Sequence, residues 1–299
     1  MKDVFRFGFY AFILILIAIF LPLGGGIFYF FSCLPFFYLA LKQGLSRGFL
    51  ALLLVTLMMF VTVPPFFTVT YVILFGSLIT FWYRGVLNRS SGSWLIVGGS
   101  ILMAVMGLTL FLFLKGLEPE LVTREMTRLI ALVEKQTQQA GLSQEMVPAF
   151  VKFFSHALIG ILFVSTLLSL GITYKVGEWV FKKRGLSLPP VDIALWRPSE
   201  VTVWGLIISG YFYWMSLKAD FPILRLVGLN LGVIFMGIYF LSGVSLISYY
   251  FRYYKVSLGM RIMGFLLLLW QPLVVVGLGV VDVWADFRKR NPNKKGREG

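Results

Sequence analysis

Nine apolar stretches of spanning or near-spanning length follow one another along the chain, at 7–23, 27–41, 48–63, 66–83, 94–114, 153–174, 201–217, 226–251 and 262–281. A helix needs about 20 apolar residues to cross the hydrocarbon of a bilayer, and somewhat shorter ones cross with local adjustment. Lipid offers the backbone no hydrogen-bond partner, so a crossing segment must satisfy its own N–H and C=O groups, which makes each stretch a helix. The breaks carry turn chemistry: Gly24, Gly25 and Gly26, then Pro64-Pro65, then Asn88, Ser90, Ser91 and Gly92. The expected fold is all-α, a polytopic transmembrane helical bundle.

Composition agrees. Of 299 residues, 59% are apolar and only 13% are charged, about half the charged share of a soluble domain. A soluble globule must keep a polar shell and could not hide that much apolar surface. The net charge of +14 does not form one basic stripe of the kind that binds nucleic acid, which is excluded as a partner. The basic residues sit in short clusters between apolar runs, and the partner they imply is the lipid bilayer. With a single cysteine, Cys33, no disulfide framework forms within the chain. The opening segment is basic and then apolar, but it has no small-residue cleavage site before the glycines and further spans follow, so it reads as a retained first span.

Counting Lys and Arg orients the chain. With the N-terminus inside, the inside ends and loops hold 14, the outside loops 7, and the tail after the last stretch 6. Nine full crossings would put the tail outside and erase the bias. About eight spans plus a broken or re-entrant last segment put it inside, as positive charge prefers. Pro272 breaks the helix there, and Gln271 can hydrogen-bond the freed backbone. The alternative is that a weak earlier segment, 201–217, does not cross. The organisation expected is a five-span half (1–117), an extracytoplasmic amphipathic helical hairpin (118–152), the C-terminal spans (153–287) and a basic cytoplasmic tail (288–299). The setting is the inner (cytoplasmic) membrane.

In the hairpin, Leu121, Met126, Leu129, Ile130 and Val133 recur at near-helical spacing, Gly141 ends the first helix and Ser143 can cap the second. It reads as a cover or interfacial element, or as a plain connector. The inside loop 175–200 carries Lys182, Lys183 and Arg184 before Pro189-Pro190. This run orients the protein and attracts anionic lipid, or docks a partner protein.

Chemistry-bearing residues are sparse. No Asp, Glu, Lys or Arg lies mid-span, where a charge costs about 2.5–3.5 kcal/mol and is kept only for function. This argues against a pump coupled through a mid-membrane carboxylate. The sole histidine, His156, lacks an HExxH context, and one His with one Cys builds no typical zinc site. No GxxxxGK[ST] loop is present. The chain is expected not to be an enzyme and to need no cofactor. Candidate ligand-binding or packing residues are Asn230, the one Asn deep in a span, with Ser209 and Gln271. Gly228 and Gly232 are four apart and permit close helix approach.

The C-terminal motif VVDVWADFRKR at 280–290, with FSCLPFFYLALKQGLSRG at 31–48, resembles the YybS-like family of uncharacterised bacterial multi-pass membrane proteins. The earlier motif is also similar to the substrate-binding membrane subunits of energy-coupling-factor transporters. That similarity implies an unidentified small-molecule substrate and a borrowed ATPase. This chain has more spans than those subunits, and Ala11 and Ala18 in place of their Ala-x-x-x-Ala surface, so no binding residue carries over. Asp282 and Asp286, four apart, are expected on one helix face near Arg288, as an ion-pair cluster or a partner-docking patch. The function expected is a substrate-binding or transport-related membrane component without its own ATPase. The alternative is a scaffold or regulatory partner that docks cytoplasmic or membrane proteins through Lys182, Lys183, Arg184, Asp282, Asp286 and Arg288.

Overall fold

The computed structural model describes residues 1–20, 25–117, 146–219 and 221–288, with isolated positions between 118 and 145. Among the described residues all regular structure is helical. The α-helices are α1 (Lys2–Phe20), α2 (Gly25–Phe31), α3 (Cys33–Gln43), α4 (Leu45–Thr62), α5 (Pro65–Leu87), α6 (Gly92–Leu117), α7 (Met146–His156), α8 (Leu158–Lys182), α9 (Thr202–Ala219), α10 (Pro222–Tyr253), α11 (Leu258–Trp270) and α12 (Pro272–Ala285), with a short 3-10 turn at Ile193–Leu195. Most of the expected hairpin and the basic tail beyond Arg288 lie outside the described residues. The hairpin's last part is helical, as α7.

Six helices (α1, α4, α5, α6, α8 and α10) are long and apolar enough to cross a bilayer. The expected eight or so also counts the short pair α2–α3 and the 18-residue α9, which are not among these six. The final pair, α11 and α12, bends by 101° at Gln271-Pro272, which is the broken last segment read from the sequence. Proline removes an N–H and clashes with the preceding turn. The repair is made by the backbone: the Leu268 carbonyl, which the missing Pro272 N–H would have met, accepts from the Gln271 N–H at 3.1 Å, while the Gln271 residue itself is exposed.

Proline also starts helices. Pro65 and Pro222 sit in the first turns of α5 and α10, where a missing N–H costs nothing. Gly44, with φ of +95°, makes the sharp α3–α4 corner. Some helices continue past the apolar stretch. α8 runs eight residues beyond 174 to Lys182, and a Lys175–Glu178 ion pair of 2.7 Å on the next turn supports the extension.

The chain divides into two compact units, residues 1–129 with 165–191, and residues 130–164 with 192–299. The core of the first is aromatic: Phe36, Phe37, Tyr71, Phe75, Trp82, Tyr174 and Phe181 are all buried. Their polar atoms are paired. The Trp82 Nε1–H donates to the Leu95 carbonyl at 2.9 Å, and the Tyr71 and Ser32 hydroxyls meet at 2.7 Å. In the second unit the helices approach through glycines. A Cβ on Gly228 of α10 would lie 2.6 Å from the Tyr213 backbone nitrogen of α9. A Cβ on Gly243 or Gly279 would lie 2.0 Å from a backbone oxygen across the α10–α12 crossing. Gly232, the other half of the expected small-residue pair, makes only an ordinary contact with Ser209.

The crossing yields a controlled test. Gly279→Ala places a methyl group against the Tyr239 carbonyl and should destabilise the detergent-solubilised protein by about 1–3 kcal/mol. Gly277→Ala, two residues away with nothing within 4 Å, should leave the melting temperature unchanged or raise it. Equal shifts for the two variants in thermal unfolding would refute the close crossing.

Candidate functional site

Asn230 is buried, and its side chain does a backbone's work. α7 and α8 are separated only by Ala157, and in an unbroken helix the Gly160 N–H would donate to the His156 carbonyl. Here Gly160 N–H donates to Asn230 Oδ1, and Asn230 Nδ2 donates to the His156 carbonyl, both at 2.7 Å. The amide is inserted into the helical ladder, a recognised cause of a kink. Nδ2 also donates to the Leu226 carbonyl, 2.7 Å away. Gly160 makes room: a Cβ there would lie 2.7 Å from the Asn230 carbonyl oxygen. Every polar atom of the Asn230 side chain is therefore engaged by the chain itself. Ser209 is also buried and donates to the Leu206 carbonyl of its own helix at 2.7 Å.

The acidic–basic cluster of the last helix is likewise turned inward. Asp282 is fully buried and its Oδ2 lies 3.1 Å from Arg288 Nη2. Asp286 pairs with Arg197 at 3.2 Å. The same Arg197 donates to the Asp282 and Val283 carbonyls, and Arg288 donates to the carbonyls of Ala194 and Trp196. The two arginines thus reach across in opposite directions between the 192–197 loop and the end of α12. Asp192 and Arg252 add a bidentate pair with two contacts of 2.9 Å. The expectation that Asp282 and Asp286 share a helix face is corrected. The helix ends at Ala285, and Asp286 turns left-handed at φ of +43°, so its carboxylate leaves the face on which Asp282 sits.

Lys182, Lys183 and Arg184 are exposed at the end of α8. Lys183 stacks over the Trp179 ring at 3.6 Å, and the Arg184 guanidinium lies 5.5 Å from the rings of both Phe7 and Tyr38. The loop that follows is pinned: Tyr174 Oη donates to the Pro189 carbonyl and Lys175 Nζ to that of Val191.

A recess that the sequence did not single out holds about 520 Å³ within the first unit and is lined by Phe49 of α4, Leu102 of α6, and Val72, Ile73, Gly76, Ser77, Thr80, Phe81 and Arg84 of α5. These α5 residues repeat every four positions, so one helix face makes most of the wall. Gly76 lets α4 come close at its middle, where a Cβ would lie 3.2 Å from the Phe49 ring. The recess is open rather than enclosed. The Ser77 and Thr80 hydroxyls donate to the Leu74 and Gly76 carbonyls, both at 2.8 Å. Arg84 is exposed at one end, and among the described residues no ion pair or hydrogen bond engages its guanidinium. The legible signal was a small or polar residue every fourth place, Gly76, Thr80, Arg84, on an otherwise greasy span.

Among the described residues no three His, Cys, Asp or Glu side chains gather as metal ligands. A family model described as a predicted membrane protein (DUF2232) matches residues 9–283. The chain belongs to this family. No curated protein and no solved structure gives a match. The DUF2232 match takes in nearly all of both compact units, from within α1 to within α12, and establishes a multi-pass membrane protein.

Removing the Asn230 amide should leave the Gly160 N–H and the His156 carbonyl bare in an apolar setting. Asn230→Ala is expected to cost about 1–3 kcal/mol. Ser209→Ala, which deletes a bond internal to one helix, should cost well under 1 kcal/mol by the same measure. Thermal unfolding in detergent compares the two, and an Asn230 variant as stable as the Ser209 variant would refute the inserted-amide role.

Proposed function

We propose that the protein is a ligand-binding, transport-related component of the cytoplasmic membrane that has no ATP-hydrolysing machinery of its own. The observation that carries this reading is the open recess on α5. Its volume of about 520 Å³ falls in the range of small-molecule sites, roughly 300–1,000 Å³. The likeness of the 31–48 motif to substrate-binding subunits of energy-coupling-factor transporters points the same way, and the resemblance to YybS-like proteins adds no function of its own. Charge-free span centres and the missing phosphate-binding loop favour energy from a partner over a built-in pump.

The orientation that goes with this reading puts the N-terminus, Arg47, Arg84 and the 182–184 run on the cytoplasmic side. A second reading, a scaffold that docks a cytoplasmic protein, keeps Lys182 and Lys183 as its surface because both are exposed. It draws less from Asp282, Asp286 and Arg288, whose charges are met within the chain.

Native mass spectrometry of gently purified protein separates the two. Binding in the recess predicts a reproducible extra mass that is lost in Thr80→Phe and Ser77→Leu, each of which fills the groove. A ligand-free protein that co-purifies with a cytoplasmic partner, and loses it when Lys182 and Lys183 become Glu, would replace the first reading with the second.

A further inference from the structure

Accepting the α5 recess as the ligand site, we infer that its occupant is an anionic phospholipid, with one acyl chain laid along α5 and its phosphate held by Arg84.

The wall decides the chemistry of most of the ligand. The two hydroxyls that face the recess, Ser77 and Thr80, already donate to carbonyls of their own helix. The other wall residues on α5, together with Phe49 and Leu102, are apolar or glycine, apart from Arg84. A sugar, amino acid or other polar solute placed there would lose its water and find few partners, at a cost of about 1–3 kcal/mol for each unpaired group. A hydrocarbon chain loses nothing, and the recess lies open on the outside of α5 rather than enclosed, where a lipid-embedded helix meets acyl chains.

One end of the recess differs. Arg84 lies in the last turn of α5, exposed and with no ion pair or hydrogen bond to its guanidinium among the described residues. A guanidinium is a fork of donors suited to phosphate oxygens. Its depth is also right. Trp94, 55% exposed near the start of α6, is the kind of residue that sits at headgroup level, and Arg89 follows just beyond the end of α5.

The length fits as well. From Val72 to Arg84 the helix rises about 18 Å, close to the roughly 15 Å of hydrocarbon in one leaflet. Apolar wall, single cationic end and one-leaflet length together describe a lipid standing in its own leaflet, with its headgroup on the Arg84 side.

The test uses the full-length protein in nanodiscs made from equal parts phosphatidylglycerol and phosphatidylcholine, released into the gas phase for native mass spectrometry. The protein should retain phosphatidylglycerol in preference to phosphatidylcholine. Arg84→Gln should reduce that preference about fivefold, the weight of one basic side chain at an anionic surface, while still retaining lipid. Arg84→Lys should restore part of it. Thr80→Phe and Ser77→Leu should lose lipid of both kinds.

A preference that survives Arg84→Gln, or none in the unmodified protein, overturns the lipid assignment while leaving the recess as a ligand site. Retained lipid unchanged by both groove-filling variants, with the variants monodisperse and helical, overturns the recess itself. Displacement of the bound lipid by soluble glycerol phosphate alone would show that the acyl chain contributes nothing, and would overturn the proposal too.

Discussion

Hydrocarbon accepts and donates no hydrogen bonds, so any interruption of a helix in this protein has to be repaired from inside the chain. The α7–α8 junction shows the most economical repair. A single carboxamide from α10 replaces the one main-chain bond that the kink opens, donating to His156 and accepting from Gly160. At Gln271-Pro272 the repair is made one residue early, by the Gln271 N–H donating to the Leu268 carbonyl that the proline leaves open. Along the uninterrupted spans the hydroxyls of Thr56, Ser77, Thr80 and Ser100 spend their protons on carbonyls of the preceding turn. The same constraint leaves the α5 recess so poor in free polarity: the groups that might have greeted a polar ligand are already used.

Close contact between helices follows a related logic. Lipid tails are as apolar as leucine, so a greasy side chain gains little by moving from lipid to a neighbouring helix. Packing and polar pairing must bring the helices together. The first unit does it with interlocking aromatic rings, including Phe37, Trp82 and Tyr174, and with the Tyr71–Ser32 hydroxyl pair. The second does it with bare backbone, where Gly228, Gly243 and Gly279 let main chains touch. Tyr239 then ties its hydroxyl to Thr202 at 2.8 Å, within a small cluster with Val203 and Val283.

How much of this could be read from the sequence depends on the range over which each interaction acts. Helical character, the approximate number of spans and the break at Pro272 are properties of single stretches, and run length with turn residues reveals them. Asn230 stood out as the lone amide deep in a span, yet its partners lie 70 and 74 residues away, a pairing that no local pattern encodes. Asp282 and Asp286 were placed on one face by spacing alone. The helix stops between them, at Ala285, and two arginines distant in sequence from each other, Arg197 and Arg288, take one carboxylate each. The recess was missed for the opposite reason. Its residues are local, but a glycine, a threonine and an arginine at intervals of four look like ordinary helix-packing material until Phe49 and Leu102 are seen to line one recess with them.

The reciprocal grip of Arg197 and Arg288 carries a consequence for biogenesis. Arg197 is synthesised some ninety residues before its companion, and the carbonyls that Arg288 will grasp, on Ala194 and Trp196, are exposed as soon as that loop leaves the ribosome. The clasp can close only once Arg288 itself has been made. Until then α9 and α10 wait in the bilayer without the helix whose Gly279 and Val283 complete their packing. A nascent chain halted before Arg288 would have inserted its spans and would still hold an unclosed second half, because neither the buried carboxylate of Asp282 nor the carbonyls of Ala194 and Trp196 would have met their cation.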